Sequence, residues 1–234
     1  MNKLLLNNDD EVNTLVIVED TELVISLDDI EKYLNIIVEK DVCLNIVEIS
    51  NNTKNNLSVR LDENSSLIYN KIGKDVNDKV NILLDGAFSN VNLYSSIIGL
   101  KKVVCDFNII HNNINTTSSL FNHGVNSSNN EMLFNVDAKV KFCAKDAVTN
   151  QENKIINISS GKSKILPNLL VDNNDVVASH SAYISDFDKE SMFYLKSRGI
   201  QEQSARDLLM NGFLIGNLKQ VEDYKSEIEE FLKL

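Results

Sequence analysis

Few residues in this chain have side chains that ligate a metal, carry sulfur or move a proton near neutral pH. There are three histidines, His111, His123 and His180, and three cysteines, Cys43, Cys105 and Cys143. A neutral imidazole ligates iron and titrates close to physiological pH. A thiolate is the softer ligand and the form that accepts sulfur. Spacing brings none of these together. No CxxC pair and no Cys/His ligand run occurs, so the sequence offers no preformed zinc or Fe–S site. Each cysteine has apolar neighbours (Val42 and Leu44; Val104; Phe142) and reads as a small buried hydrophobe. His111 and His123 lie in a polar segment that reads as surface or turn. His180 is different. On a strand it shares a face with Ala178 and Ala182 and has Ser179 and Ser181 as neighbours, so its ring is left accessible. Spacing alone still favours a hydrogen-bonded structural histidine there. There is no glycine-rich phosphate loop, no GxSxG and no paired-carboxylate motif, so nothing points to catalysis by the chain itself.

Composition excludes several classes. The formal net charge is −11 and the pI about 4.8, which argues against nucleic-acid or anionic-membrane partners, since both need clustered Lys and Arg. No run approaches the roughly 18 apolar residues of a membrane span. Met1 to Leu6 is too short for a signal peptide and meets Asp9-Asp10-Glu11 at once. A cytoplasmic protein with free thiols is expected. About one residue in seven is Asn, against 8 Gly and 1 Pro. Tight corners must therefore rely on Asn and Asp, which tolerate left-handed backbone and satisfy their own turns.

The elements that would position these residues are mostly strands. Residues 1–41 read as a lead-in, with a strand at Leu15-Val16-Ile17-Val18 and a short helical turn or connector at Asp28 to Leu34. From 42 to 185 short apolar runs recur, such as Leu57-Ser58-Val59-Arg60-Leu61, Val80-Asn81-Ile82-Leu83-Leu84 and Val103 to Ile109. Many alternate with period two and are separated by polar corners. No helical pattern interrupts them, so βαβ units are excluded. A sandwich and a β-helix both fit.

Residues 186–234 change character. Asp188 reads as an N-cap, with Glu190 in the positive first turn, and Gly199 as a helix stop. Ala205, Leu208, Leu209 and Phe213 form an apolar stripe of a second helix. Val221, Tyr224, Ile228, Phe231 and Leu232 form a third stripe with an acidic opposite face, expected to pack on the core.

Three segments carry a resemblance. Asp175 to Ala182, then Phe193-Tyr194-Leu195-Lys196-Ser197-Arg198-Gly199-Ile200, then Ala205-Arg206-Asp207-Leu208-Leu209 resemble the carboxy-terminal core of SufB/SufD proteins, the scaffold subunits of SUF iron–sulfur cluster assembly. A weaker echo runs from His111 to Asn157. The resemblance implies a mainly β fold, a right-handed parallel β-helix with a carboxy-terminal helical segment that flanks or caps one end. It implies a SufC-like ATPase bound through the region of Tyr194, Arg198, Gly199 and Phe213. It implies pairing with a SufB-like subunit or with a second copy, and a transient Fe–S cluster at that interface, with no stable cofactor. His180 matches a histidine implicated in cluster assembly and becomes the candidate ligand. Two departures lean toward the SufD-like, accessory side: Glu152 stands where SufB types carry a cysteine, and Ser181 where they carry a glutamate. Typical members are also longer, with an amino-terminal helical region. The rival expectations are a β-helix interaction module without cluster chemistry and, less well supported, a β-helix polysaccharide lyase or hydrolase, for which the carboxylates and aromatics are too few.

Overall fold

The computed structural model describes residues 1–127, 129–158 and 160–233. Among them fifteen strands run in chain order: β1 (Asn2–Leu6), β2 (Thr14–Ile17), β3 (Thr21–Asp28), β4 (Glu31–Val38), β5 (Cys43–Asn51), β6 (Lys54–Leu61), β7 (Ser66–Lys74), β8 (Asn77–Leu84), β9 (Asn90–Gly99), β10 (Val103–His111), β11 (Thr117–Asn126), β12 (Glu131–Val140), β13 (Ala147–Asn157), β14 (Lys162–Val171) and β15 (Val176–Ser185). Helices α1 (Lys189–Ser197), α2 (Glu202–Ile215) and α3 (Lys225–Phe231) complete the chain, with a single 3-10 turn at Glu222–Tyr224.

Odd strands form one eight-stranded sheet and even strands a seven-stranded one, both wholly parallel. Each coil of the chain gives one strand to each sheet. The result is a parallel β-helix, as the resemblance implies. Coil length changes along the chain, from the 19 residues between partners Leu4 and Leu23 to the 31 between Leu120 and Gln151 and the 29 between Gln151 and His180. Inward side chains stack into columns of Leu, Ile and Val between the two sheets, such as Leu34, Leu57, Val80 and Phe107. The corners bear out the Asn/Asp reading. Asp29, Asn52 and Asp75 at one corner, and Asp41, Asn64, Asn115 and Asp146 at another, all hold positive φ between 51° and 62° except Asn52 at 48°. Most pass their N–H to the next coil, as Asp41 does to Glu63 O.

Several expectations change. The first 41 residues are not a lead-in to the solenoid. They carry β1 to β4, which pair in register with one another and with β5 and β6. Asp28-Asp29 is a corner rather than a helix start, and Tyr33 and Leu34 belong to β4. Cys43 and Cys143 are exposed, and only Cys105 is buried. Alternation explains Cys43, which lies between the inward pair Val42 and Leu44 and so points out.

The helical segment does not cap an end. It lies on the outer face of the larger sheet, where Val47, Ile72, Ile98 and Val125 meet Met210, Leu214, Tyr224 and Ile228. The inner stripe of α2 is Ala205, Met210 and Leu214, while Leu208 is 55% exposed.

One charged group sits wholly inside. Lys71 Nζ lies 2.5 Å from Glu48 and 2.6 Å from Asp78, all three buried. Tyr69 donates to Glu48, and Thr53 and the Asn55 N–H donate to Asp78. Burial alone would lower the Lys71 pKa, and the two carboxylates more than reverse it. Lys71→Met leaves two buried carboxylates uncompensated. It should cost about 3–5 kcal/mol of unfolding free energy. Urea unfolding measures this, and a loss under about 1 kcal/mol contradicts the assignment.

Candidate functional site

The last coil is the least covered part of the solenoid. β15 pairs with β13, with Gln151 opposite His180, and β14 pairs with β12. Both lie at the edges of their sheets. Inward side chains of the last coil therefore have no coil above them. They are Ile165, Pro167 and Leu169 from β14 and Ala178, His180 and Ala182 from β15, in register with inward residues of the coil below. Together they form an open mouth of small and apolar groups. His180 is the ionisable one, exposed and without a hydrogen-bond partner among the described residues. Directly beneath it Gln151 is buried, its Oε1 unpartnered. Spacing alone favoured a hydrogen-bonded structural histidine, and that reading does not hold.

Backbone parity distinguishes the two edges. Val148 donates its N–H back to Thr116 O, so odd residues of β13 face β15. In the observed register this leaves the N–H and C=O groups of Val176, Ala178, His180, Ala182 and Ile184 on the free edge. On β14, Lys162 donates to Asn130 O and Asp172, just past its end, to Val140 O, so odd residues face outward. Pro167 is among them and has no N–H to offer. β15 is a continuous docking edge, and β14 is interrupted at its centre.

The other candidate residues lie on the helices. Asp188 caps α1, accepting from the N–H groups of Glu190 and Ser191. Tyr194 is 56% exposed, with the Arg198 guanidinium 5.2 Å from its ring. Arg198 ends α1, and Gly199 comes next at φ +84° with open space around it. Phe193, 75% exposed, projects from the same helix. A cleft of about 930 Å³ opens beside α1 and α2, lined by Ile158, Phe187, Met192, Phe193, Lys196 and Arg206 among others. Tyr194, Arg198 and Gly199 thus share one exposed helix end. Phe213 does not join them. Its ring stacks on His123 at 4.3 Å, against the solenoid.

His111 and His123 are buried, against expectation. The Nδ1 of His111 is 2.8 Å from Thr116 Oγ1 and its Nε2 is 2.9 Å from Ser118 Oγ. Burial pushes its pKa down to about 4. The signal was present: His111 falls on the inward parity of Val103, Cys105, Phe107 and Ile109. His123 donates from Nδ1 to Phe213 O at 2.9 Å, and Ser96 donates to Leu214 O at 2.8 Å. These two side chains fasten the last turn of α2, where helix carbonyls run out of intrahelical partners, to the larger sheet. Burial lowers the His123 pKa too. Glu152 lies 3.7 Å from His123 Nε2 and is ion-paired with Lys154 at 2.6 Å, which holds its pKa down.

The family model for SUF system FeS cluster assembly, SufBD core domain, matches residues 10–213. The Bacillus subtilis iron-sulfur cluster assembly protein SufD is 28% identical over 153 residues, covering 63% of this chain and 35% of that protein. The Plasmodium falciparum protein of the same name is 29% identical over 202 residues, covering 78% of this chain and 14% of that one. A SufBD family protein of Staphylococcus epidermidis is 26% identical over 212 residues, covering 86% and 46%. The chain spans less than half the length of these relatives.

The buried histidines set a pH dependence. Their folded pKa lies below the unfolded value, so unfolded chains bind more protons. Stability is full above pH about 6.5 and falls as pH drops toward 4, by about 3 kcal/mol from His111. His111→Gln should flatten the difference between urea midpoints at neutral and acid pH. An unchanged difference contradicts the assignment.

Proposed function

We propose a function from one premise: this chain belongs to the SUF system FeS cluster assembly family defined by the SufBD core domain. It serves as a SufD-like accessory scaffold subunit in Fe–S cluster assembly. The observation that carries this reading is the open last coil, with His180 in its mouth and an uninterrupted strand edge beside it. A SufB-like subunit, or a second copy, adds its own strand to β15 and closes the mouth. His180 then faces the partner and gives one imidazole ligand to a transient cluster, which is cargo.

Two features support a shared rather than a private cluster site. Among the described residues no three His, Cys, Asp or Glu side chains converge. Glu152, in the place of the SufB-type cysteine, is a hard carboxylate already paired with Lys154 and a poor acceptor of sulfur. The thiolates come from the partner.

A SufC-like ATPase docks on α1 and the adjoining cleft, where Phe193, Tyr194 and Arg198 stand exposed. Nucleotide hydrolysis belongs to that subunit, and this chain is no enzyme. No described helix is long and apolar enough to cross a membrane. We place the complex in the cytoplasm, in line with the sequence reading.

Two variants test the reading. His180→Ala should leave complex assembly intact and strip the cluster, read as anaerobic iron and sulfide content with visible absorbance. His180→Cys, a softer ligand, should keep part of it. Normal loading in the Ala variant moves the function to an interaction module without cluster chemistry. Arg198→Glu should abolish co-purification of the ATPase and shift stability by no more than about 0.5 kcal/mol. Loss of fold together with binding shows a structural role instead.

A further inference from the structure

One polar atom beneath the mouth of the last coil is left over. Elsewhere near this end the solenoid closes its inward polar groups rung by rung. Ser95 donates to Asn122 Oδ1 at 2.8 Å, Asn122 Nδ2 to Asn153 Oδ1 at 2.8 Å, and Asn153 Nδ2 to Ser181 O at 3.2 Å. Ser118 likewise donates to Thr149 Oγ1 at 2.9 Å. The column between these two runs Leu93, Leu120, Gln151, His180. It is apolar until Gln151, which is buried. Gln151 Nε2 donates to Asn168 O at 3.3 Å. A carbonyl only accepts, so this bond fixes the amide's orientation and leaves Oε1 as the unused end. That oxygen is buried and has no partner. A buried acceptor without a partner is costly, and its retention calls for a reason.

The last coil offers one donor for it. Of the side chains that face the mouth, Ile165, Pro167, Leu169, Ala178 and Ala182 have no polar hydrogen to give, and His180 has one. His180 stands one coil above Gln151 and in register with it, a spacing of about 4.8 Å. The Asn122–Asn153 rung shows that an N–H···O bond between planar side chains spans that spacing in this solenoid. Ala178 and Ala182 flank His180 and leave its ring room to turn down. In this structure the ring stands out in the mouth, exposed, and the bond is not formed.

We propose that Gln151 is the positioning residue of His180: its Oε1 accepts one ring N–H and so sets the orientation and tautomer of the imidazole. The other ring nitrogen then carries its lone pair away from the lumen, toward the open mouth. Ligating histidines are held this way, by a protein acceptor on the nitrogen that does not bind the metal. The acceptor here is a neutral amide rather than a carboxylate. Among the described residues, no charged side chain of β12 to β15 shares the inward face. The imidazole is therefore oriented without being made more basic, which suits a ligand that must give its cluster up. That consequence rests on the scaffold function proposed above; the Gln151–His180 rung does not.

The test is nitrogen-15 NMR of the histidine rings in the full chain at about pH 8, above the ordinary imidazole range. Gln151→Met keeps the length of the side chain without an acceptor, and Gln151→Leu continues the apolar column. Both should change the His180 tautomer ratio at least threefold and leave the His111 and His123 signals in place. The thermal midpoint should stay or rise, because a buried unpaired acceptor is removed. In the complex with a SufB-like subunit, both variants should assemble and lose at least threefold in iron and sulfide content. An unchanged His180 ratio in both variants overturns the proposal. So does a changed ratio with unaltered cluster content in a complex that His180→Ala strips. A changed ratio together with normal loading in His180→Ala keeps the rung and removes the scaffold function instead.

Discussion

Everything in this molecule depends on the backbone ladder between one coil and the next. A single coil has two short strands and cannot bury their inner faces or satisfy their N–H and C=O groups alone. Both are achieved by the coil above and the coil below. The same stacking makes a buried charge tolerable: Glu48 and Lys71 are direct register partners, so each brings the other its counter-ion. Farther along the same column, Ser95 donates to Asn122 and Asn122 to Asn153, and the polar interior is satisfied rung by rung.

A ladder of this kind must end, and here it ends in an open coil. The helical segment lies along the outer face of the larger sheet instead of over the last coil. It is fastened there by solenoid side chains that reach helix-end carbonyls, and by the paired amide contacts of Asn70 with Lys219. That placement leaves the β15 edge open and holds α1 outward, away from the packed stripe. Two surfaces are thereby exposed on one frame, the free β15 edge and the outer end of α1. The edge that would also invite unwanted pairing, β14, is blunted by Pro167.

The legible part of the fold was its alternation. Period-two runs located most strands from 42 onward, though not the polar β11, which reads as surface or turn, and the Asn/Asp enrichment identified the residue types of the corners. The coil repeat stayed hidden because its length changes from 19 to 31 residues, so no fixed sequence period exists. Of the first four strands β2 was legible, while Asp28 to Leu34 reads as a helical turn or connector when it holds a left-handed corner at Asp29 and the start of β4. Polar context misplaced both histidines: His111 lies inside the β-helix, which accepts polar side chains that stack in register, and His123 lies on the outer face beneath α2. Phe213 lay on an apolar stripe and was rightly read as apolar, but sequence does not say whether such a face meets a partner or the chain's own sheet. The exposure of His180 was legible from its small neighbours. The open mouth around it comes from register, which no local pattern encodes.

The central claim is that the free edge of β15 receives a partner strand and encloses His180. Amide hydrogen exchange on the complex with a SufB-like subunit, or on the self-associated chain, tests it most directly at single-residue resolution. The account predicts new protection of the Ala178, His180 and Ala182 amides, which face the free edge, with little change at Ser179 and Ser181, which already bond to β13. A complex that forms while the Ala178, His180 and Ala182 amides exchange as fast as in the free chain would contradict it.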